Sequence, residues 1–291
     1  MGSSIFVVFL PLALALVMFG LGLTLAFDDF ARVLRYPKAA LVALICQMVV
    51  LPTICLALVV LFGLEGALAV GMMLLVASPG GTSANLFSHL AGGDVALNIT
   101  LTAINSVLAV FTMPIVVTLA IAGFMDEDAS VGLQPAKFVQ VVAIVLVPVA
   151  VGMWVRRLLP GWAEQMRKPV KVVSIAVLFL VIVAASIAEF DTFIDNIDRL
   201  GLIALLLSIL SLSIGYFVPR LFAVDPRQAI ASAMEIGIHN ATLAIAVAVS
   251  VLGDETMAIP GAIYGIIMFF PATLAAVFLA RQQKTVPQPS R

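Results

Sequence analysis

The sequence predicts an all-α integral membrane protein of nine transmembrane helices built as inverted repeats. Three observations carry that expectation: an apolar composition, apolar runs of spanning length, and polar interruptions at matching places in the two halves. Of 291 residues, 63% are hydrophobic and 11% charged, and the mean hydropathy is +1.20. A water-soluble globule has an apolar share nearer about 45–50%. The runs are about 20 to 30 residues long, enough for tilted helices to cross a ~30 Å hydrocarbon core, whereas barrel strands would be about 10 residues and alternating.

In chain order the spans fall at 5–26, 38–62, 66–91, 95–124, 136–156, 170–189, 200–222, 228–252 and 257–280. No Lys or Arg precedes Arg32, so the first span lacks the basic region of a cleaved signal peptide and reads as retained. The second holds Cys46 and Cys55, which cannot pair along a straight helix and read as small core residues. The third is interrupted by Ser78-Pro-Gly-Gly-Thr-Ser-Ala-Asn85 and the eighth by Met234-Glu-Ile-Gly-Ile-His-Asn-Ala241. The fourth and ninth each hold a late proline, Pro114 and Pro271. Joints are short and polar, and Arg281 to Arg291 reads as a disordered cytoplasmic tail.

Short loops rich in Lys and Arg stay cytoplasmic. Placing the N-terminus outside puts thirteen of the fifteen basic residues inside, leaving only Lys137 and Arg199 out. That predicts a multi-pass protein of the cell (inner) membrane with a cytoplasmic C-terminus, in contact with lipid bilayer. Net charge is −1 with no basic run, so nucleic acid is not an expected partner. Oligomeric state is open, a monomer being compatible.

Spans 1–4 and 6–9 form two sets of four, and the single span between them forces opposite orientation. The interrupted span is third in each set, as in transporters built from inverted repeats with broken helices. At Pro79 the backbone loses a donor, and Gly80 and Gly81 accept conformations other residues resist, so the helix unwinds there. Lipid penalises the freed groups, so the segment is buried or lines a cavity. A half-helix restarting near Thr82 or Ser83 offers a positive end suited to an anion.

Glu235 is the chain's only carboxylate at membrane depth. An acid there costs roughly 2.5–3.5 kcal/mol on insertion scales and faces a partner, a cavity or an ion. It reads as a cation ligand, a proton carrier, or a structural hydrogen-bond acceptor. Asn85, Asn98, Thr102, Asn105 and Ser106 could complete an oxygen shell for a hard cation, the last four lining one side of span 4. Gln47 is a further buried amide. His239 follows Glu235 by four residues, but a transition-metal site needs three or four such ligands, and the other histidine, His89, is near a loop. No Gly-x-Ser-x-Gly elbow suggests a hydrolase. A transporter is therefore expected rather than an enzyme, and no organic cofactor.

The segments Ser78 to Asn85, Leu90-Ala-Gly-Gly-Asp-Val-Ala-Leu97, Glu235 to Asn240, and Met18-Phe-Gly-Leu-Gly-Leu-Thr-Leu25 resemble those of the bile acid:sodium symporter family, over essentially the whole chain. The resemblance implies a nine-span arrangement lacking the first helix of ten-span members. It implies a core domain (about 38–124 and 200–280) with two broken helices crossing, and a panel domain (about 5–26 and 136–189). It further implies two sodium sites behind the crossing: Ala84, Asn85, Asn98, Thr102 and Glu235 for the first; Gln47, Glu235, Ile236, Ile238 and His239 for the second. Thr82, Ser83, Asn85 and Asn240 would meet the substrate, an organic anion such as a bile acid or a small carboxylate like pantoate. Ala84 stands where relatives often have serine, and His239 where glutamine is usual. The implied activity is sodium symport by alternating access. A proton-coupled or efflux carrier on the same fold, or a membrane protein that binds a ligand without moving it, are the alternatives.

Overall fold

The computed structural model describes residues 15–125, 135–170 and 190–285, with positions 12, 172, 173 and 176; the predicted sixth span falls almost entirely outside these. Among the described residues the chain is helical, and four helices are long and apolar enough to cross a membrane: Pro37–Leu61, Val95–Phe124, Ile194–Leu221 and Thr256–Gln282. Three shorter apolar helices, Ala15–Thr24, Gly66–Ala77 and Ala241–Leu252, accompany them. It is a multi-pass membrane protein.

Helix α1 is Ala15–Thr24, followed by a short α2, Phe27–Ala31, and by α3, Pro37–Leu61. Within α3 a π-turn at Cys46–Val50 widens the helix and turns Gln47 inward. Cys46 and Cys55, one on each side of the π-turn's end, are buried and free. Then come α4, Gly66–Ala77, α5, Thr82–Leu90, and α6, Val95–Phe124, whose first turn is capped by Asp94 accepting from the Leu97 N–H at 3.1 Å. Helix α7 is Pro135–Leu158 and α8 spans 160–170.

The second half begins with α9, Phe190–Leu221. It starts ten positions before the predicted 200, because Asp191, Asp195 and Asp198 are polar yet helical. Next are α10, Pro226–Gly237, α11, Ala241–Leu252, α12, Ile259–Ile267, and α13, Phe269–Thr285. The expected disordered tail needs correction in part: Arg281 to Thr285 continue α13, since charged residues leave a bilayer without ending a helix.

Both interruptions are real, and each follows a half-helix of 12 residues. The residue before a proline is driven out of the helical region, and Ser78 is extended at φ −71°, ψ 148°. In α4 the residues Ala69 to Val76 are buried without a gap, as are Ala229 to Gly237 in α10. A helix enclosed on every side has no lipid face, and unwound backbone at membrane depth is tolerated only under such cover.

Helices α1 and α7 approach closely at glycines. A Cβ on Gly152 would lie 2.5 Å from the Phe19 carbonyl oxygen, and one on Gly22 would overlap Val149. Small residues at a lipid-embedded crossing let backbones touch, which supplies the dispersion that the hydrophobic effect cannot. The Arg156 guanidinium donates to the Thr24 carbonyl at the end of the same contact. Gly152→Leu should force the pair apart, at about 1–3 kcal/mol for an overpacked site, and lower the unfolding temperature in detergent by several degrees.

Candidate functional site

The two interruptions meet. Gly80 and His239 lie opposite each other in an isolated antiparallel bridge, flanked by two backbone bonds: the Gly81 N–H donates to the Ile238 carbonyl at 2.7 Å, and the Asn240 N–H to the Pro79 carbonyl at 2.9 Å. Proline has no donor, but its carbonyl remains available, so the pairing satisfies part of what the breaks expose. Asn240 then caps α11, its side chain accepting from the Leu243 N–H at 3.0 Å. Gly81 caps α5 with no side-chain bond, its carbonyl accepting from the Ala84 N–H at 2.9 Å.

Behind this crossing sits Glu235, fully buried. Its Oε2 accepts from the Thr102 hydroxyl at 2.5 Å and its Oε1 from the Asn105 amide at 3.0 Å. The carboxylate presses on Gly80, where a Cβ would collide with its carboxyl carbon and both oxygens. Charge-assisted hydrogen bonds such as these are the strong ones. The carboxylate therefore ties together α6, α10 and the first interruption.

Of the predicted first sodium site, Glu235 and Thr102 are in direct contact. Asn98 is one turn away along α6, its amide donating to the Ala231 carbonyl at 2.7 Å, so Asn98 Oδ1 is buried without a partner. Asn85 Oδ1 is likewise buried and unpartnered. Ala84 is fully buried and can offer only its backbone. Ser106 bonds back to the Thr102 carbonyl at 2.6 Å instead of joining a shell, the usual local habit of a helical serine.

Of the predicted second site, Gln47 and His239 converge on one atom. The Gln47 amide lies 3.1 Å and His239 Nδ1 3.4 Å from the Ser78 carbonyl oxygen. Gln47 Oε1 and His239 Nε2 are both buried and unpartnered. The Ile238 carbonyl, expected to face an ion, already accepts the Gly81 N–H, leaving one lone pair. Ile236 is fully buried in the last turn of α10, where carbonyls lack intrahelical partners.

Four buried amide oxygens, those of Gln47, Asn85, Asn98 and Asn105, thus have no hydrogen-bond partner. An unpaired buried acceptor costs about 1–3 kcal/mol. Oxygen acceptors of this kind, on the helices and interruptions that also carry the Glu235 carboxylate, suit a hard cation.

On one side of the crossing lies a cavity of about 680 Å³. Ser83, Asn85 and Asn240, three of the four residues expected to meet substrate, line it together with Thr102. The side chain of Thr82 lies outside the described residues. Thr24 of α1 and Glu164, Arg167 and Lys168 of α8 also line it, with Arg167 paired to Glu164 at 2.7 Å.

Sequence reasoning counted Asn105 among the oxygens that could complete a cation shell, but the resemblance left it out of both implied sodium sites; its amide is one of the two side-chain donors to Glu235. It gave no role to Tyr264, a fully buried side chain whose hydroxyl donates to the Gly237 carbonyl at 3.0 Å and whose ring packs 5.4 Å from that of His239. Nothing in the sequence linked α8 to the cavity.

A model of the sodium bile acid symporter family matches residues 11–196. The sequence is 28% identical over 280 residues to the "Uncharacterized sodium-dependent transporter YocS" of Bacillus subtilis, covering 95% of this chain and 84% of that protein. It is 25% identical over 270 residues to the ileal sodium/bile acid cotransporter of Oryctolagus cuniculus, covering 93% and 77%. It is 24% identical over 266 residues to the probable sodium/metabolite cotransporter BASS2, chloroplastic, of Oryza sativa subsp. japonica, covering 91% of this chain but only 62% of that longer protein. With the family match running over well more than half of its residues, the chain belongs to the sodium bile acid symporter family.

Proposed function

We propose that the protein is a sodium-coupled symporter of an organic anion, working by alternating access. The observation that carries this reading is the buried Glu235 carboxylate, held by Thr102 and Asn105 against the crossing of two interrupted helices, with Asn85, Asn98, Asn105 and Gln47 each keeping a buried amide oxygen without a partner. Sodium entering there is held by Glu235, Thr102, Asn98, Asn85 and the backbone at Ala84. A second ion uses Gln47, Glu235, His239 and the carbonyls of Ile236 and Ile238. Binding neutralises the acid and tightens the crossing. Because Asn240 belongs both to the crossing and to the cavity wall, and Asn85 lies on the helix that restarts just after it, that tightening orients them, with Thr82 and Ser83, toward the anion.

Half-helix N-termini at the midplane of inverted-repeat carriers face anionic groups in this way. The two 12-residue half-helices, each ending at an interruption, support the repeat and the nine-span arrangement. The Gly22–Gly152 contact supports a panel in which α1 and α7 move as one body against the core. Arg167 and Lys168 at the cavity mouth make that mouth cytoplasmic by the positive-inside rule, with the N-terminus outside and the inner membrane as the location. The substrate is a bile acid or a small carboxylate such as pantoate. With two sodium ions per monoanion, each cycle moves one net charge, worth about 2.3 kcal/mol per 100 mV.

Uptake of radiolabelled taurocholate and pantoate into proteoliposomes tests this, with a sodium gradient expected to drive one of them. Equal uptake in sodium and choline would reject sodium coupling, and a pH gradient across the same vesicles separates the proton-coupled alternative that His239 suggests. Lys168→Glu, reversing a charge at the mouth, should raise the KM for the anion by about tenfold at low ionic strength and by less in salt.

A further inference from the structure

The second interruption is braced by a side chain of α12. Tyr264 is fully buried, its hydroxyl donates to the Gly237 carbonyl at 3.0 Å, and its ring packs 5.4 Å from that of His239. It reaches this place because α12 lies on α11 at two glycines of one face. A Cβ on Gly265 would stand 3.0 Å from the Ala241 side chain, and one on Gly261 3.0 Å from that of Ile245. Residues four apart are neighbours on a helix surface, and Tyr264 falls in the turn between these two. Tyr264 therefore spans the break: its hydroxyl holds the end of α10, and its own helix rests on the start of α11.

The last carbonyls of a helix lack intrahelical partners, and those around this break are taken in turn. Met234 accepts from the Ile238 N–H at 3.1 Å, Ile238 from the Gly81 N–H at 2.7 Å, and His239 from the Ala241 N–H at 3.0 Å. Gly237 is left to the Tyr264 hydroxyl. A glycine is the residue whose backbone is least restrained by its own sterics, and here it must be one, because a Cβ would overlap Leu212 of α9. Leu212 fixes where Gly237 sits, and the hydroxyl fixes how the peptide plane between Gly237 and Ile238 is turned. That plane lies between the Ile236 and Ile238 carbonyls, which serve the second ion in the proposed function.

We propose that Tyr264 is a positioning residue for sodium, a strut that sets the gap between α10 and α11 and the direction in which the Ile236 and Ile238 carbonyls point. It acts through Gly237 and is not itself a ligand. The proposal rests on reading the crossing as the place where sodium binds. Removing a group that holds a metal ligand in place costs about 10–100-fold in affinity while the ligand itself remains.

Tyr264→Phe tests it in the full chain, since it keeps the ring against His239 and removes only the hydroxyl. Sodium-jump currents from proteoliposomes should half-saturate at about tenfold higher sodium than in the parent, with the same maximal charge. Tyr216→Phe, whose ring packs 5.3 Å from that of Phe217 and away from the break, should keep the parent's value. Amide hydrogen exchange over residues 234–241 in choline should be faster in Tyr264→Phe, which reads the loosened break without any ion. A lowered unfolding temperature with half-saturation unmoved would make the hydroxyl merely structural and overturn the proposal. A smaller maximal charge at unchanged affinity, or unchanged exchange, would overturn it too. Thermal unfolding of the parent in sodium and choline separates the two levels: no sodium stabilisation removes the sodium reading itself, whereas a stabilised parent with an unmoved Tyr264→Phe removes only the strut.

Discussion

Glu235→Gln is expected to abolish sodium-driven uptake while leaving a folded protein. The amide keeps the shape and one acceptor, so Thr102 can still donate to it, and the neutral side chain suits a buried position better than an unpaired charge does. What disappears is attraction for the ion. A unit charge about 4 Å from another contributes about 4 kcal/mol at an effective dielectric of 20, which is about a thousandfold in sodium affinity. The checking measurement is uptake against sodium concentration in proteoliposomes, beside thermal unfolding of the purified variant. The expected pattern is no sodium-dependent flux within the accessible range and an unfolding temperature no longer raised by sodium. Normal transport by this variant would remove the carboxylate from the mechanism.

Gly80→Ala is expected to be nearly as damaging, through the backbone alone. The new methyl would occupy the space of the Glu235 carboxylate, and neither side can give way. Gly80 is pinned by the bonds of its neighbours Pro79 and Gly81 to Asn240 and Ile238, and Glu235 by Thr102 and Asn105. Overpacking costs about 1–3 kcal/mol where neighbours can adjust, so a site tethered on both sides should lie at the upper end. The variant should lose sodium stabilisation and transport together. Gly123→Ala is the control: it lies in α6 with nothing within 4 Å of the added carbon, and alanine favours a helix over glycine. Loss of function in Gly80→Ala with Gly123→Ala unaffected would separate the contact from a general intolerance of glycine substitution.

The interruptions were legible because proline and paired glycines act locally, whatever packs around them. Ser78 to Gly81 unwinds for reasons contained in those four residues. Glu235 was legible for another reason: a lone acid in an apolar run is too costly to face lipid, and it is indeed fully buried. What stayed hidden was pairing across distance. That Gly80 would lie opposite His239, or that the Ser78 carbonyl would gather both Gln47 and His239, depends on how two remote segments cross. The polar stripe of α6 marked a face but not its divisions: Asn98 binds backbone, Thr102 and Asn105 bind the acid, and Ser106 turns back on its own helix. Hydropathy also misjudged ends, missing the polar first turns of α9 and the charged last turn of α13, because helices continue past the depth at which apolar residues stop.

The Glu235 carboxylate and the cavity beside it form the physical core of the site: Thr102 lines that cavity, and Thr102 and Asn105 both hold the acid. In the proposed function, an ion that displaced either bond would shift the carboxylate, and the paired interruptions would pass that shift to Asn240 at the cavity wall. Coupling in this scheme needs no long pathway, since ion and anion ligands are adjacent on the same two interruptions.

Sodium-jump currents on a solid-supported membrane test the central claim most directly, because they read ion binding without a known substrate. The account predicts a saturable charge displacement when sodium replaces choline over the wild-type protein, and its absence in Glu235→Gln. Identical currents from the two proteins, or none from the wild type, would contradict it.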